Sequence, residues 1–192
     1  MTFFRSFTFP LWEIFAGNML LLICTLFYLA WWAVSFRPNT SGVSAGTLYI
    51  IAAIITGCAA IALISGGINS LPQGSRGLPV WVILTGVAAL FIVLFLVTSL
   101  AFHRIVTSEL LIIHIWAALE LSVVAALYGT GHLGVGRAAI LAALVGIATI
   151  AGLICYVLYY RADETARYYI GMVPLITDAV VMAIFLVILA VS

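Results

Sequence analysis

Apolar residues fall into six long runs along the chain, and the polar residues between them come in short clusters. The runs extend from Leu11 to Phe36, Gly46 to Asn69, Val80 to His103, Leu110 to Tyr128, Ala138 to Tyr160 and Tyr168 to Val191. A helix rises about 1.5 Å per residue, so about 20 apolar residues cross the hydrocarbon core of a bilayer. Each run therefore predicts a spanning α-helix. The expected fold is an all-α integral membrane protein, a single six-helix transmembrane domain over residues 1–192. The stretch after Arg5 runs on to Phe36, longer than the ~7–15 apolar residues of a signal peptide core, and predicts a first membrane helix rather than a cleaved leader.

The connections are short: Arg37 to Gly42, Leu71 to Gly77, Gly129 to Gly136, and Arg161 to Glu164. None can hold a soluble domain or a lid, which places any function within the membrane. The odd runs share an ending, an aromatic-type residue before an arginine: Phe36-Arg37, His103-Arg104 and Tyr160-Arg161. Runs two and four also share Ala62-Leu63-Ile64 with Gly67 and Ala126-Leu127-Tyr128 with Gly131. This weak repeat predicts three tandem two-helix hairpins with both termini on one face. An interfacial belt of aromatics and snorkelling arginines produces the same endings without a repeat.

Composition agrees with the pattern. The chain is 66% hydrophobic and 7% charged, against about 25% charged in soluble domains. Its cations are seven arginines, with no lysine, and its net charge is +1. That leaves no basic surface for nucleic acid, and the absence of a lysine amine excludes Schiff-base chemistry with retinal or pyridoxal. Cys24, Cys58 and Cys155 lie far apart inside apolar runs and read as small buried hydrophobes, not as disulfide or zinc ligands. His103 and His132 fall at opposite ends of their hairpin and cannot both ligate one haem. No cofactor and no metal is expected.

Candidate chemistry lies in the few polar residues at membrane depth. An ionisable side chain at a helix centre costs about 2.5–3.5 kcal/mol on insertion scales, so it faces a bundle interior or water and marks function by default. Glu120 and Asp178 meet that description, and the repeat places Thr56 at the equivalent position of run two. Three polar groups at one depth would suit a constriction or a solute site; hydrogen bonding across helices would account for them structurally. Residues eleven apart share a helical face, which groups Glu109, Trp116 and Glu120, and separately Arg167, Gly171, Pro174 and Asp178. Glu109 and Arg167 also fit plain interfacial placement. Pro174 lacks an N–H and frees a carbonyl near Ile170. His114 lies about 120° around the helix from Glu120, so it reads as a hydrogen-bonding residue or a separate proton relay. Asn18 lies deep enough to need a partner helix. Small residues at four-residue spacing, Ala52, Thr56 and Ala60, and Ala138, Ala142 and Gly146, predict packing seams. The expected solute or proton path comprises Glu120, Asp178, Thr56, His114, Trp116 and Asn18.

Glu13, Gly17, Asn18, Tyr28 and Trp32 resemble in spacing a segment of the acetate transporters, a six-helix family related in fold to the urea channels. The resemblance is confined to Glu13–Trp32. The family's Asn-Pro-Ala-Pro signature and the Thr-Phe-Gly that follows its Gly-Asn are absent, and the segment lies at a different place in the chain. It implies a channel for monocarboxylates or small neutral solutes as a further alternative. Asp163-Glu164-Thr165-Ala166-Arg167 resembles a fragment of the phospholipid-synthesising alcohol phosphotransferase motif without its multiple aspartates. With no clustered nucleophile, base or ligand set, an enzyme is not expected.

The leading expectation is a small-solute channel or secondary transporter, proton- or cation-coupled through the intramembrane acids. The alternative is an accessory or scaffold subunit of a larger membrane complex. The expected partners are the lipid bilayer, a small solute or ion, and further copies in a homo-oligomer or the other chains of such a complex. The expected location is the inner membrane of a prokaryotic cell.

Overall fold

The computed structural model describes residues 8–37, 46–72, 79–100 and 108–191. The described residues form six α-helices: α1 (Phe9–Ser35), α2 (Thr47–Ser70), α3 (Val80–Leu100), α4 (Ser108–Gly129), α5 (Val135–Tyr159) and α6 (Glu164–Ala190). No strand occurs among the described residues. All six are long and apolar enough to cross a membrane, and the chain is an integral membrane protein. Residues 38–45, 73–78 and 101–107, with most of the expected Arg37–Gly42 and Leu71–Gly77 connections and with His103-Arg104, lie outside the described residues, as does the side chain of Glu109.

Local chemistry sets the helix ends. Pro10 sits in the first turn of α1, where its missing N–H is no loss. Asp163 caps α6, its Oδ1 accepting the N–H of Ala166 at 2.7 Å. The α4–α5 turn needs a left-handed residue, supplied by Gly131 at φ 84°. The N–H of Leu133 then reaches back to the carbonyl of Leu127 at 3.1 Å. Within the helices, hydroxyls bond back to their own turn: Thr25 to Leu21, Thr56 to Ala52, Ser122 to Ala118 and Thr149 to Val145. In hydrocarbon a hydroxyl must find an acceptor, and the i−4 carbonyl is the nearest.

The chain divides into two compact units, Met1–Pro72 with Ile154–Ser192, and Gln73–Leu153. In the first, α1 packs along α2 and, less extensively, along α6. The α1–α2 seam is antiparallel and very close. A Cβ on Gly17 would lie 2.6 Å from Ile64 Cγ1 and 3.1 Å from the Ala60 carbonyl; one on Gly67 would lie 2.8 Å from the Pro10 carbonyl. Cys24 Sγ donates to the carbonyl of Ala53 at 3.1 Å. The seam thus runs through Pro10, Ile14, Gly17 and Cys24 on α1, and through Ala53, Gly57, Ala60, Ile64 and Gly67 on α2. This alternation of three and four residues belongs to helices packed at a shallow angle.

Both expected small-residue seams need correction. On α2 the stripe is shifted from Ala52 and Thr56 to Ala53 and Gly57, keeping Ala60. On α5 the buried line is Ala138, Leu141, Val145, Ala148 and Gly152, whereas a Cβ on Gly146 would meet nothing within 4 Å. A strict four-residue step drifts about 40° per turn around the helix and leaves the contact line.

In the second unit α3 packs against α4, with Phe91 edge-on to the His114 ring at 5.6 Å. On α5, a Cβ at Gly152 would lie 3.3 Å from Ile113 of α4. The buried face of α4 includes Leu110, Ile113, Trp116, Ala117, Glu120, Val123, Val124 and Leu127. By contrast, α3 turns Trp81, Leu84, Leu90, Ile92 and Val93 outward, as a lipid-facing helix does.

Candidate functional site

The sequence-predicted polar residues divide between the two units. His114, Trp116 and Glu120 share α4 in the second unit. Asn18, Thr56 and Asp178 belong to α1, α2 and α6 in the first.

Glu120 lies near the midpoint of α4 and is 0% exposed. One turn earlier, and on nearly the same face, is Trp116, buried with an indole Nε1–H that has no acceptor among the described residues. His114 lies on another face of α4. Its Nδ1 is 2.8 Å from the Leu110 carbonyl. A carbonyl only accepts, so Nδ1 carries the hydrogen, and Nε2 is the other polar atom of the ring. That Nε2 is buried and has no partner among the described residues. α4 therefore carries three buried polar side chains, with Trp116 and Glu120 on nearly one face and His114 on another.

In the first unit Asp178 lies at the middle of α6, half-buried. Asn18 is 0% exposed. Its Nδ2 donates to the Ile14 carbonyl at 2.8 Å, and its Oδ1 is enclosed with no partner among the described residues. Thr56 is occupied differently: its hydroxyl is 2.7 Å from the Ala52 carbonyl of its own helix. It flanks the α1–α2 seam, where its side chain also makes hydrogen-bonding contact with Cys24 of α1. Glu13, near the start of α1, keeps its Oε2 enclosed beside Gly66.

Sequence reading missed the α1–α6 contacts. Trp32 Nε1 donates to the Tyr168 carbonyl at 3.0 Å, and its ring fills the space over Gly171. Tyr168 returns its hydroxyl to the Ala33 carbonyl at 3.3 Å. Farther along, Thr25 Oγ1 lies 3.7 Å from Met182 Sδ. The heptad spacing of Asn18, Thr25 and Trp32 was the available signal. Helix α6 continues through Pro174, and the carbonyl that accepts from Trp32 is that of Tyr168, six residues before the proline and not the expected Ile170.

Among the described residues no group of three or more His, Cys, Asp or Glu could hold a metal ion. No family model, curated protein or solved structure matches the chain.

Proposed function

We propose that this protein is a small-solute channel or secondary transporter in which Glu120 and Asp178 couple passage to protons or cations. The observation that carries the reading is the polar set on α4: a fully enclosed carboxyl group at the helix midpoint, with a buried indole one turn before it and a buried imidazole on another face. A carboxyl group at a helix centre costs about 2.5–3.5 kcal/mol on insertion scales and marks function by default. Small monocarboxylates and urea-like solutes come first among substrates to try, because of the spacing of Glu13, Gly17, Asn18, Tyr28 and Trp32. We place the protein in the inner membrane of a prokaryote, acting alone or as a homo-oligomer, without a cofactor.

Flux into proteoliposomes, with and without a pH gradient, tests this reading. The wild type should take up solute, and the Glu120→Gln, Asp178→Asn double variant should assemble normally yet lose the response to the gradient. A wild type that moves none of these solutes, or that folds only with another polypeptide, would put the accessory-subunit role in its place.

A further inference from the structure

Between Glu13 and Arg37 the sequence carries no charged residue, yet three polar side chains there fall on one line. Asn18, Thr25 and Trp32 are spaced by seven residues, a step that drifts only about 20° around a helix, and all three are buried. On α6, Gly171, Asp178 and Phe185 follow the same step. These two lines face each other. Trp32 covers Gly171 and donates to the Tyr168 carbonyl, while Thr25 meets Met182. The two contacts bracket Asp178, which belongs to the same line as Gly171 and the fully buried Phe185. A carboxyl group at mid-membrane thus borders the α1–α6 seam, with Thr25 about one turn beyond it and Asn18 about two turns farther along.

Each of these groups has an oxygen to offer. The Thr25 hydroxyl spends its proton on the Leu21 carbonyl at 3.0 Å, which leaves its lone pairs. Asn18 spends its NH2 on Ile14 and keeps Oδ1 enclosed without a partner among the described residues. Hard oxygen ligands in series with one carboxylate match a hard monovalent cation, and a path of acceptors without a fixed positive charge does not match an anion. The titratable side chains that meet α1 at the Trp32 end of this seam are Tyr159, with its ring 6.0 Å from the indole, and Tyr168, whose hydroxyl donates to the Ala33 carbonyl; neither is cationic.

We propose that the α1–α6 seam is a file of oxygen ligands for a small monovalent cation, a hydrated proton or an alkali ion, running from Asp178 past Thr25 to Asn18. It deepens the transport reading by giving the coupling ion its own track within the first unit, and it rests on that reading for its purpose.

Cysteine accessibility tests the seam independently of transport. In a background carrying Cys24→Ala, Cys58→Ala and Cys155→Ala, single variants Asn18→Cys and Thr25→Cys are exposed in proteoliposomes to a small cationic methanethiosulfonate. Met19→Cys and Leu26→Cys, at outward-facing positions 45% and 49% exposed, are the controls. The seam positions should react at least tenfold faster than the controls, and adding Asp178→Asn should slow Thr25→Cys severalfold while Thr177→Val leaves it unchanged. Equal rates, faster controls, or no effect of Asp178→Asn would overturn the proposal. Parallel flux under a pH gradient or a sodium gradient tells the two ions apart, with Thr25→Val and Asn18→Leu serving should Asp178→Asn fail to fold. Coupled flux without seam labelling would refute the file and leave the transport reading standing. Seam labelling with no flux under either gradient would refute the transport reading and leave a cation site.

Discussion

Replacing glycine by alanine should have opposite signs at different positions of this fold, and the structure says where each sign falls. At Gly67 the new Cβ would sit 2.8 Å from the Pro10 carbonyl and 3.1 Å from the Ile14 amide nitrogen, where ordinary contact begins at 3.4 Å. Those are main-chain atoms of α1, so relief requires α1 and α2 to move apart by about half an ångström along a seam in which Gly17 and Gly57 are also closely engaged. Overpacking of this kind costs about 1–3 kcal/mol, against a gain of about 0.5–1 kcal/mol from removing a glycine from a helix. Gly67→Ala should therefore lower stability by up to about 2.5 kcal/mol. At Gly86 and Gly146 nothing lies within 4 Å of the added carbon, and the same exchange should raise stability by about 0.5–1 kcal/mol. The measurement is reversible unfolding of purified protein in mixed micelles by SDS titration, comparing the three variants with the wild type. A Gly67→Ala variant as stable as Gly146→Ala would refute the close α1–α2 seam.

Trp32→Phe keeps a ring over Gly171 but loses the hydrogen bond to the Tyr168 carbonyl, and should cost about 0.5–1.5 kcal/mol in the same titration; Trp32→Ala should cost about 3–5 kcal/mol. Asp163→Ala removes the cap of α6 and should cost about 1 kcal/mol, with Asp163→Asn close to neutral. Because six helices cross in alternation, single cysteines placed at Thr8 and Val191 should be labelled by an impermeant reagent from the same side of sealed vesicles; labelling from opposite sides would contradict the six-span topology.

The spans were legible because the length of an apolar run is a one-dimensional signal. α2 runs from Thr47 to Ser70 where the pattern placed Gly46 to Asn69. The larger error came at α6, which begins at Glu164 instead of Tyr168. Apolar periodicity starts where the chain enters hydrocarbon, but Asp163 starts the helix a turn earlier in polar surroundings. Buried polar positions were legible for a related reason: Asn18, His114 and Glu120 stand out from their runs, and all three are enclosed. Partner choice was not legible. No local feature of Trp32 announces a bond to a carbonyl 136 positions away, and the seams were displaced because a fixed four-residue step ignores the slow rotation of a contact line around a helix.

That rotation gives α1 two faces of different chemistry. Gly17 and Asn18 are neighbours in sequence, yet about 100° separates them around the helix. Gly17 belongs to the line of contact with α2, and Asn18 to the line that meets α6. Lipid tails give apolar helices no hydrophobic reason to associate, so the α1–α2 seam depends on close backbone approach and van der Waals contact. The α1–α6 seam depends on a few directional contacts, among them Trp32 to Tyr168 and Thr25 to Met182. A bulky residue at Gly17 would push α1 as a rigid rod, and Asn18 and Thr25 would move with it. The glycine seam therefore sets the position of the polar one: changes at Gly17 should reach the α1–α6 line without touching any residue in it, and changes at Asn18 should leave the α1–α2 contacts in place.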